Sequence, residues 1–350
     1  MNQELLFSNS RIKNRQLACI ECGTVLDVGS FKPLDPIFCP NCKTEMVVPA
    51  KLGIYDLYRF LGEGAMGRVY LARDPVLKRD VAVKLLREDL NATPKMWTLL
   101  ENEAKAAAAI THNNVIHIYT MGKVLGRPYI IMEVADFASL DDILEDEGTI
   151  DEALAIQISI DVMKGLRAAY KNELIHGDIK PANILITHKG RAKVADFGLA
   201  RFLKHGQQVE RWGTPYYIAP EKSEQISEDF RSDLYSLGGT LFHAIAGHAP
   251  FEGETGEEVI SKSLKQTTPQ LKKICPDISG EFSELVFKMM QRNPDDRFWS
   301  YDQAITCFEK LQEGSYVLGS CKKLKMGKNA KRRKTKSLMQ KISSLVMDHD

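Results

Sequence analysis

Six short sequence elements follow one another in a fixed order between residues 61 and 221, and this order restricts the fold more than any other feature of the chain. The elements are L-G-E-G-A-M-G-R-V from Leu61, V-A-V-K ending at Lys84, a helical Glu103, H-G-D-I-K-P-A-N from His176, D-F-G from Asp196 and A-P-E from Ala219. Any one of them alone is weak evidence, because glycine-rich turns and D-F-G triplets occur by chance. The complete ordered set is hard to obtain otherwise, so we expect the elements to form one site.

The glycine-rich turn and the lysine that follows it suit a phosphate group. Glycines at 62, 64 and 67 let backbone N–H groups approach phosphate oxygens without a clash from a Cβ atom. Lys84, near the end of a predicted strand, places a cation beside those phosphates, and Glu103 on the following helix is the candidate for its acidic partner. In isolation, a hairpin turn and a solvated surface salt bridge are the simpler interpretations of these residues.

The segment from His176 carries the residue types that phosphoryl transfer requires. Asp178 can accept or orient the proton of an attacking hydroxyl, and Lys180 offsets charge on the moving phosphoryl group. Asn183 and Asp196 offer the hard oxygen atoms that Mg²⁺ prefers. These residue types, in this order, match the signature set of the protein kinases.

On these motifs the chain resembles the eukaryotic-like Ser/Thr protein kinases of bacteria over residues 54–312. The resemblance implies an α+β, bilobal protein-kinase fold, with a small antiparallel β lobe and its helix at 54–135 and a larger helical lobe at 136–312. It also implies that ATP binds in the cleft between the lobes together with Mg²⁺ or Mn²⁺.

The resemblance implies roles for individual residues as well. Asp178 becomes the catalytic base, and Lys84 with Glu103 positions the α- and β-phosphates. The pattern at Lys180 and Thr214 implies that the acceptors are Ser or Thr hydroxyls of protein substrates. The residues expected to contact ATP are Leu61, Gly62, Glu63, Gly64, Ala65, Met66, Gly67, Arg68, Val69, Ala82, Lys84, Met132, Glu133, Ala135 and Leu185.

Two further positions resemble residues that stabilise the kinase fold without doing chemistry. Glu221 of A-P-E is expected to pair with a late arginine, Arg297. Asp233 is expected to be a buried acid that anchors the backbone of the catalytic loop.

The chain departs from the family pattern at Gly177, where most of these kinases carry an arginine that binds a phosphate on the activation loop. The corresponding loop, residues 199–213, contains no Ser, Thr or Tyr. Because the phosphate receptor and the acceptors are missing together, we expect a kinase that is not switched on by phosphorylation of this loop. Packing of Phe202 and Trp212, or a partner, would hold the loop instead. Ser139 and Phe137 leave the contact to the ribose undefined.

A pseudokinase that uses the fold as a scaffold or binding module is the alternative function. Pseudokinases usually lack at least one residue of the catalytic set. All six are present here: Lys84, Glu103, Asp178, Lys180, Asn183 and Asp196. The sequence therefore favours an active enzyme.

Residues 17–50 carry two C-x-x-C pairs, Cys19 with Cys22 and Cys39 with Cys42, which resemble the two knuckles of a zinc ribbon. Two such turns can supply a closed, tetrahedral four-thiolate site, which indicates a structural Zn²⁺. A redox C-x-x-C is the alternative, but no thioredoxin-like βαβ pattern surrounds either pair. The module has only two basic residues between 19 and 50, so no specific nucleic-acid contact is predicted.

Hydrophobic periodicity predicts the main elements of the kinase-like region. Three antiparallel strands are expected from Tyr55 onward, followed by a helix over 94–110 and strands at Val115–Tyr119 and Tyr129–Val134. Helices are expected over 151–171, with Asp151 as the N-cap, and over Asp233–Ala246.

The two ends of the chain carry less information. Residues 1–16 show no clear periodicity and are expected to be a flexible lead, whereas residues 313–350 form a basic tail. The tail is interpreted as a solvated extension, with weak contact to an anionic membrane as the alternative. No apolar run approaches the roughly 20 residues of a membrane-spanning helix and no signal peptide is recognisable, so a cytoplasmic protein of undefined oligomeric state is expected.

Overall fold

The computed structural model describes residues 6–7, 12–64, 66–87, 94–124, 126–135, 138–197, 215–223 and 228–314. The chain divides into two compact units, which we call the sheet unit (1–108 and 117–134) and the helical unit (109–116 and 135–350). The predictions for Ala65, Phe137, the loop 199–213 with Phe202 and Trp212, Thr214 and the tail beyond residue 314 lie outside the described residues.

The sheet unit contains eleven described strands and one helix. They are β1 (Leu6–Phe7), β2 (Gln16–Ala18), β3 (Val25–Asp27), β4 (Pro36–Phe38), β5 (Glu45–Val47), β6 (Ala50–Leu52), β7 (Tyr55–Gly64), β8 (Gly67–Asp74), β9 (Arg79–Leu86), α1 (Pro94–Ala108), β10 (Ile118–Val124) and β11 (Arg127–Met132). Seven of these strands form one antiparallel sheet in the order β1-β6-β7-β8-β9-β11-β10.

Most of the elements predicted for this unit are confirmed, but two strands begin at other residues than predicted. The three strands from Tyr55 correspond to β7, β8 and β9, and the predicted helix corresponds to α1. The strand expected at Val115 begins only at Ile118, because Val115 and Ile116 bridge to Val194 of the helical unit, where Ile116 N donates to Val194 O at 2.9 Å. The next strand lies at Arg127–Met132, two residues earlier than expected.

The cysteine module consists of two short hairpins, β2–β3 and β4–β5, and it continues directly into the large sheet. Its own small core combines the buried ligand candidates with apolar residues: Leu17, Cys19, Val28, Ile37, Cys39, Met46 and Val48. The strand β6 that follows the module pairs with β7, and Leu6–Phe7, within the predicted flexible lead, pairs with β6.

One face of the large sheet is packed against the module. Val47 at the end of β5 and Leu52 on β6 belong to the same buried cluster as Leu57, Val83 and Leu85 of the central strands. Leu34 of the module also packs against this cluster. The cysteine module and the sheet therefore share a hydrophobic core, rather than being joined by a linker alone.

The helical unit contains eight described helices and three strands. They are β12 (Ala138–Ser139), α2 (Leu140–Glu147), α3 (Glu152–Tyr170), β13 (Ile184–Ile186), β14 (Ala192–Val194), α4 (Pro220–Ser223), α5 (Phe230–Ala246), α6 (Gly256–Lys265), α7 (Leu271–Ile274), α8 (Gly280–Met289) and α9 (Tyr301–Gly314). The three strands form a small antiparallel sheet.

Capping side chains explain where the two longest helices begin. Asp151 accepts a hydrogen bond from Leu154 N at 2.8 Å, which confirms it as the N-cap of α3. Helix α5 starts at Phe230 instead of Asp233, because Asp229 caps it by accepting from Arg231 N at 2.8 Å. Among the described residues, no helix combines the length and the apolar character that crossing a membrane requires.

Candidate active site

Strand register places four of the predicted ATP-contacting residues on one face of the large sheet. Lys84 on β9 lies opposite Val69 of β8, and Ala82 lies opposite Met132 of β11. Residues opposite each other in antiparallel strands, and residues two apart along a strand, project from the same face. The buried Lys84 therefore shares a face with Val69, Ala82 and Met132, whereas the core with the cysteine module lies on the opposite face.

The glycine-rich turn connects β7 to β8 and is anchored at its tip. The last strand pair before the turn is Gly64 with Gly67, and Met66 O accepts a hydrogen bond from Arg87 N at 2.9 Å. A Cβ atom at Gly67, where φ is +153°, would lie 2.0 Å from the carbonyl oxygen of Leu85. Cβ atoms at Gly62 and Gly64 would meet no atom within 4 Å.

Glycine is therefore explained differently at position 67 and at positions 62 and 64. The sheet itself requires Gly67, because the backbone of β9 passes too close for any side chain. Nothing within the described fold requires glycine at positions 62 and 64. Their open surroundings are consistent with a ligand that approaches the backbone there.

Other predicted contacts of this unit have defined local partners. Glu63 and Arg68 face each other across the turn and form an exposed ion pair of 3.0 Å, which also raises the pKa of Arg68. Glu133 accepts a hydrogen bond from His117 N at 3.2 Å and donates its own N–H to His117 O at 2.8 Å. Glu103 lies on α1, which packs against β10, and its pairing with Lys84 stays a prediction.

In the helical unit, the side chains expected to carry the chemistry meet around Asp178. Lys180 Nζ lies 2.8 Å from Asp178 Oδ2. Asn183 Nδ2 donates to the backbone oxygen of Asp178 at 2.7 Å and contacts its Oδ2 at 3.2 Å. Because the Asn183 nitrogen is committed to Asp178, the amide oxygen is the atom that Asn183 can offer to a cation.

The backbone just before Asp178 is held by a buried acid. Asp233 accepts from His176 N at 2.9 Å and from Gly177 N at 2.7 Å. It is buried almost completely, and this burial raises its pKa although the neighbouring His176 and the two N–H groups act in the opposite direction. The anchoring role predicted for Asp233 is thereby confirmed.

Asp196 follows β14, and a backbone hydrogen bond of its neighbour Ala195 links this segment to Asn183. Ala195 N donates to Asn183 O at 2.9 Å, and His176 Nε2 is hydrogen-bonded to Ala195 O at 2.8 Å. Phe197 packs edge-on against the His176 ring, with ring centroids 4.7 Å apart. Asp196 has φ of +63°, a backbone conformation that non-glycine residues seldom adopt and that clusters at functional sites.

The predicted pair of Glu221 and Arg297 is a buried, two-pronged ion pair. Arg297 Nη1 donates to Oε1 at 2.7 Å and Nη2 donates to Oε2 at 2.8 Å. Ser232 Oγ also donates to Oε1 at 2.7 Å. Burial alone would raise the pKa of Glu221, but the hydrogen bonds and charge of Arg297 lower it on balance. This pair fixes α4, and with it the end of the A-P-E element.

The structure distributes the predicted residues over both units. The sheet unit carries the glycine turn, Ala82, Lys84, Glu103, Met132 and Glu133; the helical unit carries Ala135, Asp178, Lys180, Asn183, Leu185 and Asp196. Leu185 lies on β13, opposite Ser139 of β12.

Two residues acquire roles that the sequence analysis does not assign. Ser139 forms a capping box with Asp142: its hydroxyl accepts from Asp142 N at 3.1 Å, and its backbone N–H donates to Asp142 Oδ2 at 2.8 Å. The spacing S-L-D-D is a known capping signal and could have predicted this role. Lys222, directly after A-P-E, donates a hydrogen bond to Gly177 O, and no sequence signal indicates this contact.

The four cysteine sulfurs converge in the cysteine module. Cys19 Sγ lies 3.5 Å from Cys42 Sγ, Cys22 Sγ lies 3.5 Å from Cys39 Sγ, and all four sulfurs lie within 4.8 Å of one another. Four sulfurs arranged tetrahedrally about 2.3 Å from one zinc ion would be about 3.8 Å apart. The observed spacing fits such an ion.

The two hairpins that supply these sulfurs repeat the same local geometry. In one, Gly23 N donates to Cys19 O at 3.0 Å; in the other, Lys43 N donates to Cys39 O at 3.0 Å. Thr24 Oγ1 lies 3.2 Å from Cys22 Sγ, and its hydrogen bond lowers the pKa of that thiol to about 6. Burial raises the pKa of Cys19 to about 12, so four thiolates would need a cation to coexist.

Comparison with known proteins agrees with this geometry. The family described as protein kinase domain matches residues 55–307. The chain is 36% identical over 263 residues to the serine/threonine-protein kinase PknB of Mycobacterium tuberculosis, covering 72% of this chain and 42% of PknB. It is 33% identical over 251 residues to the serine/threonine-protein kinase PrkC of Bacillus subtilis, covering 70% of this chain and 38% of PrkC.

Among solved structures, the PknI kinase domain of Mycobacterium tuberculosis superposes with a TM-score of 0.61 at 26% identity, over 75% of this chain and 96% of that domain. The chain spans about two fifths of the length of the curated relatives that it matches. The match with the family extends over the sheet that carries Lys84 and over the helical unit that carries Asp178, and it includes the α+β fold that the motifs predict. The chain therefore belongs to the protein kinase family.

Proposed function

We propose that the chain is an active serine/threonine protein kinase, which transfers the γ-phosphoryl group of ATP to hydroxyl groups of protein substrates. The observation that carries the proposal is the convergence of Lys180 and Asn183 on Asp178. A carboxylate so placed can accept the proton of an incoming hydroxyl, while Lys180 offsets negative charge that builds up on the transferring group. The kinase names of PknB and PrkC support the same activity.

Nucleotide binding is assigned to the sheet face that carries Val69, Ala82, Lys84 and Met132, together with the backbone of the glycine turn. The family implies ATP and a divalent cation, and Mg²⁺ is proposed here. Asn183 and Asp196 would hold this cation through one amide and one carboxylate oxygen, a donor set that suits a hard ion. When bound, the cation neutralises charge on the phosphates.

The pseudokinase alternative has no support in the described site. A scaffold protein would need neither the ion pair between Lys180 and Asp178 nor the hydrogen bonds from Asn183 to Asp178. Selectivity for Ser and Thr over Tyr rests on Lys180 and on the sequence around Thr214, so it stays part of the proposal.

The test is a phosphotransfer assay on the purified full chain with Mg-ATP and a mixture of Ser/Thr- and Tyr-containing peptides. Wild type is expected to label Ser or Thr. Asp178→Asn is expected to lower kcat by about 10² or more, since general-base contributions are of that order. Glu173→Gln, at an exposed carboxylate on the turn after α3, is the control and should leave kcat unchanged. Mg-ATP binding without transfer by folded wild type would favour the pseudokinase.

We further propose that Cys19, Cys22, Cys39 and Cys42 bind one structural Zn²⁺. The sulfur spacing and the mirrored hairpins support this assignment, and the closed set of four ligands leaves no position for a substrate. Metal analysis of the purified chain should find one zinc per chain, and Cys39→Ser should lose it. Cys275→Ser, at a cysteine outside the module, is the matched control.

We propose a kinase domain at 54–312, between a zinc module at 17–50 and a basic tail at 313–350, and a cytoplasmic location for the protein. Strand β6, which pairs with β7, and the shared buried cluster join the module to the large sheet within the sheet unit.

A further inference from the structure

Both backbone polar groups of Gly177 are held by charged residues. On one side, Asp233 accepts the N–H groups of His176 and Gly177. On the other side, Lys222 Nζ donates to the carbonyl oxygen of Gly177. This carbonyl belongs to the same peptide group as the N–H of Asp178, which donates to His176 Nδ1 at 3.2 Å.

Lys222 is itself enclosed and is paired with an acid. Its Nζ lies 4.0 Å from Glu228 Oε2, and the two side chains are only 12% and 16% exposed. An ion pair with so little solvent contact is weakened less by salt than a surface pair. Its positive charge also acts on Asp233, where it opposes the rise in pKa that burial causes.

The same pair occupies the space beside residue 177. Gly177 has φ of +73°, and a Cβ atom there would lie 3.8 Å from Lys222 Nζ and 3.7 Å from Glu228 Oε2. A long side chain at this position would project toward the ion pair. These distances are ordinary van der Waals contacts, so the left-handed backbone, rather than a clash with the ion pair, is what favours glycine at this position.

We propose that Lys222 is a positioning residue for the catalytic loop, with Glu228 as its built-in counter-charge; this rests on the proposed kinase function. Lys222 fixes the carbonyl that precedes Asp178, so the carboxylate is oriented by a cation of this chain. Glu228 gives Lys222 a permanent anionic partner, whereas the arginine that most of the resembling kinases carry at position 177 binds a phosphate on the activation loop. Because residues 199–213 contain no Ser, Thr or Tyr, such a permanent pair makes the catalytic loop independent of phosphorylation in that segment.

The kinetic test compares four variants of the full chain after phosphatase treatment: Lys222→Met, Lys222→Arg, Glu228→Gln and the control Lys171→Met, at an exposed lysine. Lys222→Met should lower kcat about tenfold, with the KM for ATP changed less than about twofold. Lys222→Arg should restore kcat to within about threefold, because it retains the cation and its donors. Glu228→Gln, which removes the counter-charge of Lys222, should also lower kcat, and an unchanged kcat would show that Glu228 has no part in the positioning. Lys171→Met should match wild type.

A second measurement does not depend on activity. Selective ¹⁵N-aspartate labelling should show the Asp178 amide resonance shifting in Lys222→Met but not in Lys171→Met, since the carbonyl of that peptide loses its hydrogen bond. An unchanged kcat in Lys222→Met, an equal loss in Lys222→Arg, or an unmoved Asp178 resonance would each overturn the proposal. If wild type transfers no phosphate while the Asp178 resonance shifts as stated, the proposed kinase function fails and the positioning contact stands.

Discussion

The carbonyl oxygen of Leu85 lies 2.0 Å from the position that a Cβ atom would take at Gly67, so the backbone of β9 leaves no room for a side chain there. We therefore expect Gly67→Ala to destabilise the protein by about 2 kcal/mol or more, because overpacking against backbone cannot relax through a side chain. Urea unfolding of the full chain, compared with wild type, measures this loss.

Gly62→Ala and Gly64→Ala provide the matched comparison within the same turn. A Cβ atom meets nothing within 4 Å at either position, so the unfolding free energy should change by less than about 1 kcal/mol. The KM for ATP should nevertheless rise several-fold if phosphates approach this backbone. An unchanged KM in both variants would remove the turn from the nucleotide site.

The buried pair of Glu221 and Arg297 should contribute strongly to stability. Glu221→Gln leaves the enclosed guanidinium without its counter-charge, and we expect a loss of about 3–5 kcal/mol in unfolding free energy. Asp295→Asn removes an exposed partner of Arg231 and should cost less than about 1 kcal/mol. Equal effects of the two substitutions would contradict this account.

The same pair predicts a direction for the pH dependence. The pKa of Glu221 is lower in the folded state than its ordinary value of 4.5, so its contribution is complete above 4.5 and is lost as the pH falls through the folded value. The difference in unfolding free energy between wild type and Glu221→Gln should therefore shrink as the pH falls below 4.5. If this difference in unfolding free energy instead grew as the pH fell, the pKa of Glu221 would not be lowered in the folded state.

The two cysteine hairpins share one left-handed backbone position but fill it with different residues, which offers a stabilising substitution. Gly23 and Lys43 occupy equivalent positions with φ of +71° and +61°. Replacing the left-handed lysine with Lys43→Gly should raise the unfolding free energy of the zinc-loaded chain by about 0.5–1 kcal/mol, whereas Gly23→Ala should lower it. Guanidinium titration at fixed zinc measures both, and a loss of stability in Lys43→Gly would contradict the equivalence.

Metal removal should affect the large sheet as well as the cysteine module. Val47 and Leu52 share a buried cluster with Val83 and Leu85 of β9, so a module unfolded by loss of zinc uncovers that side of the strand carrying Lys84. Hydrogen exchange after chelation should show faster exchange in β9, with α8 of the helical unit as the internal control. Protection of β9 that survives loss of zinc would show that the sheet is independent of the module.

Local patterns predicted most of the elements and the residues around Asp178. Alternation specifies β7 to β9, and Asp151 marks the start of α3. What the sequence does not reveal are partnerships set by tertiary packing. Val115 and Ile116 have the composition of a strand, but Val115 forms an isolated bridge with Val194 instead of joining the large sheet. Leu34 and Val47 of the module pack in the hydrophobic core of that sheet. The contact from Lys222 to Gly177 joins residues 45 positions apart, and no local propensity encodes it.

In the proposed function, Asp178 activates a protein hydroxyl for phosphoryl transfer from ATP. The most direct measurement follows ATP labelled with ¹⁸O in its γ-phosphoryl group and locates the label in a protein substrate by mass spectrometry. We predict label on Ser or Thr with wild type, and at least about 10²-fold slower labelling with Asp178→Asn. Equal labelling by both proteins, or labelling by neither when both are folded and bind ATP, would contradict the account.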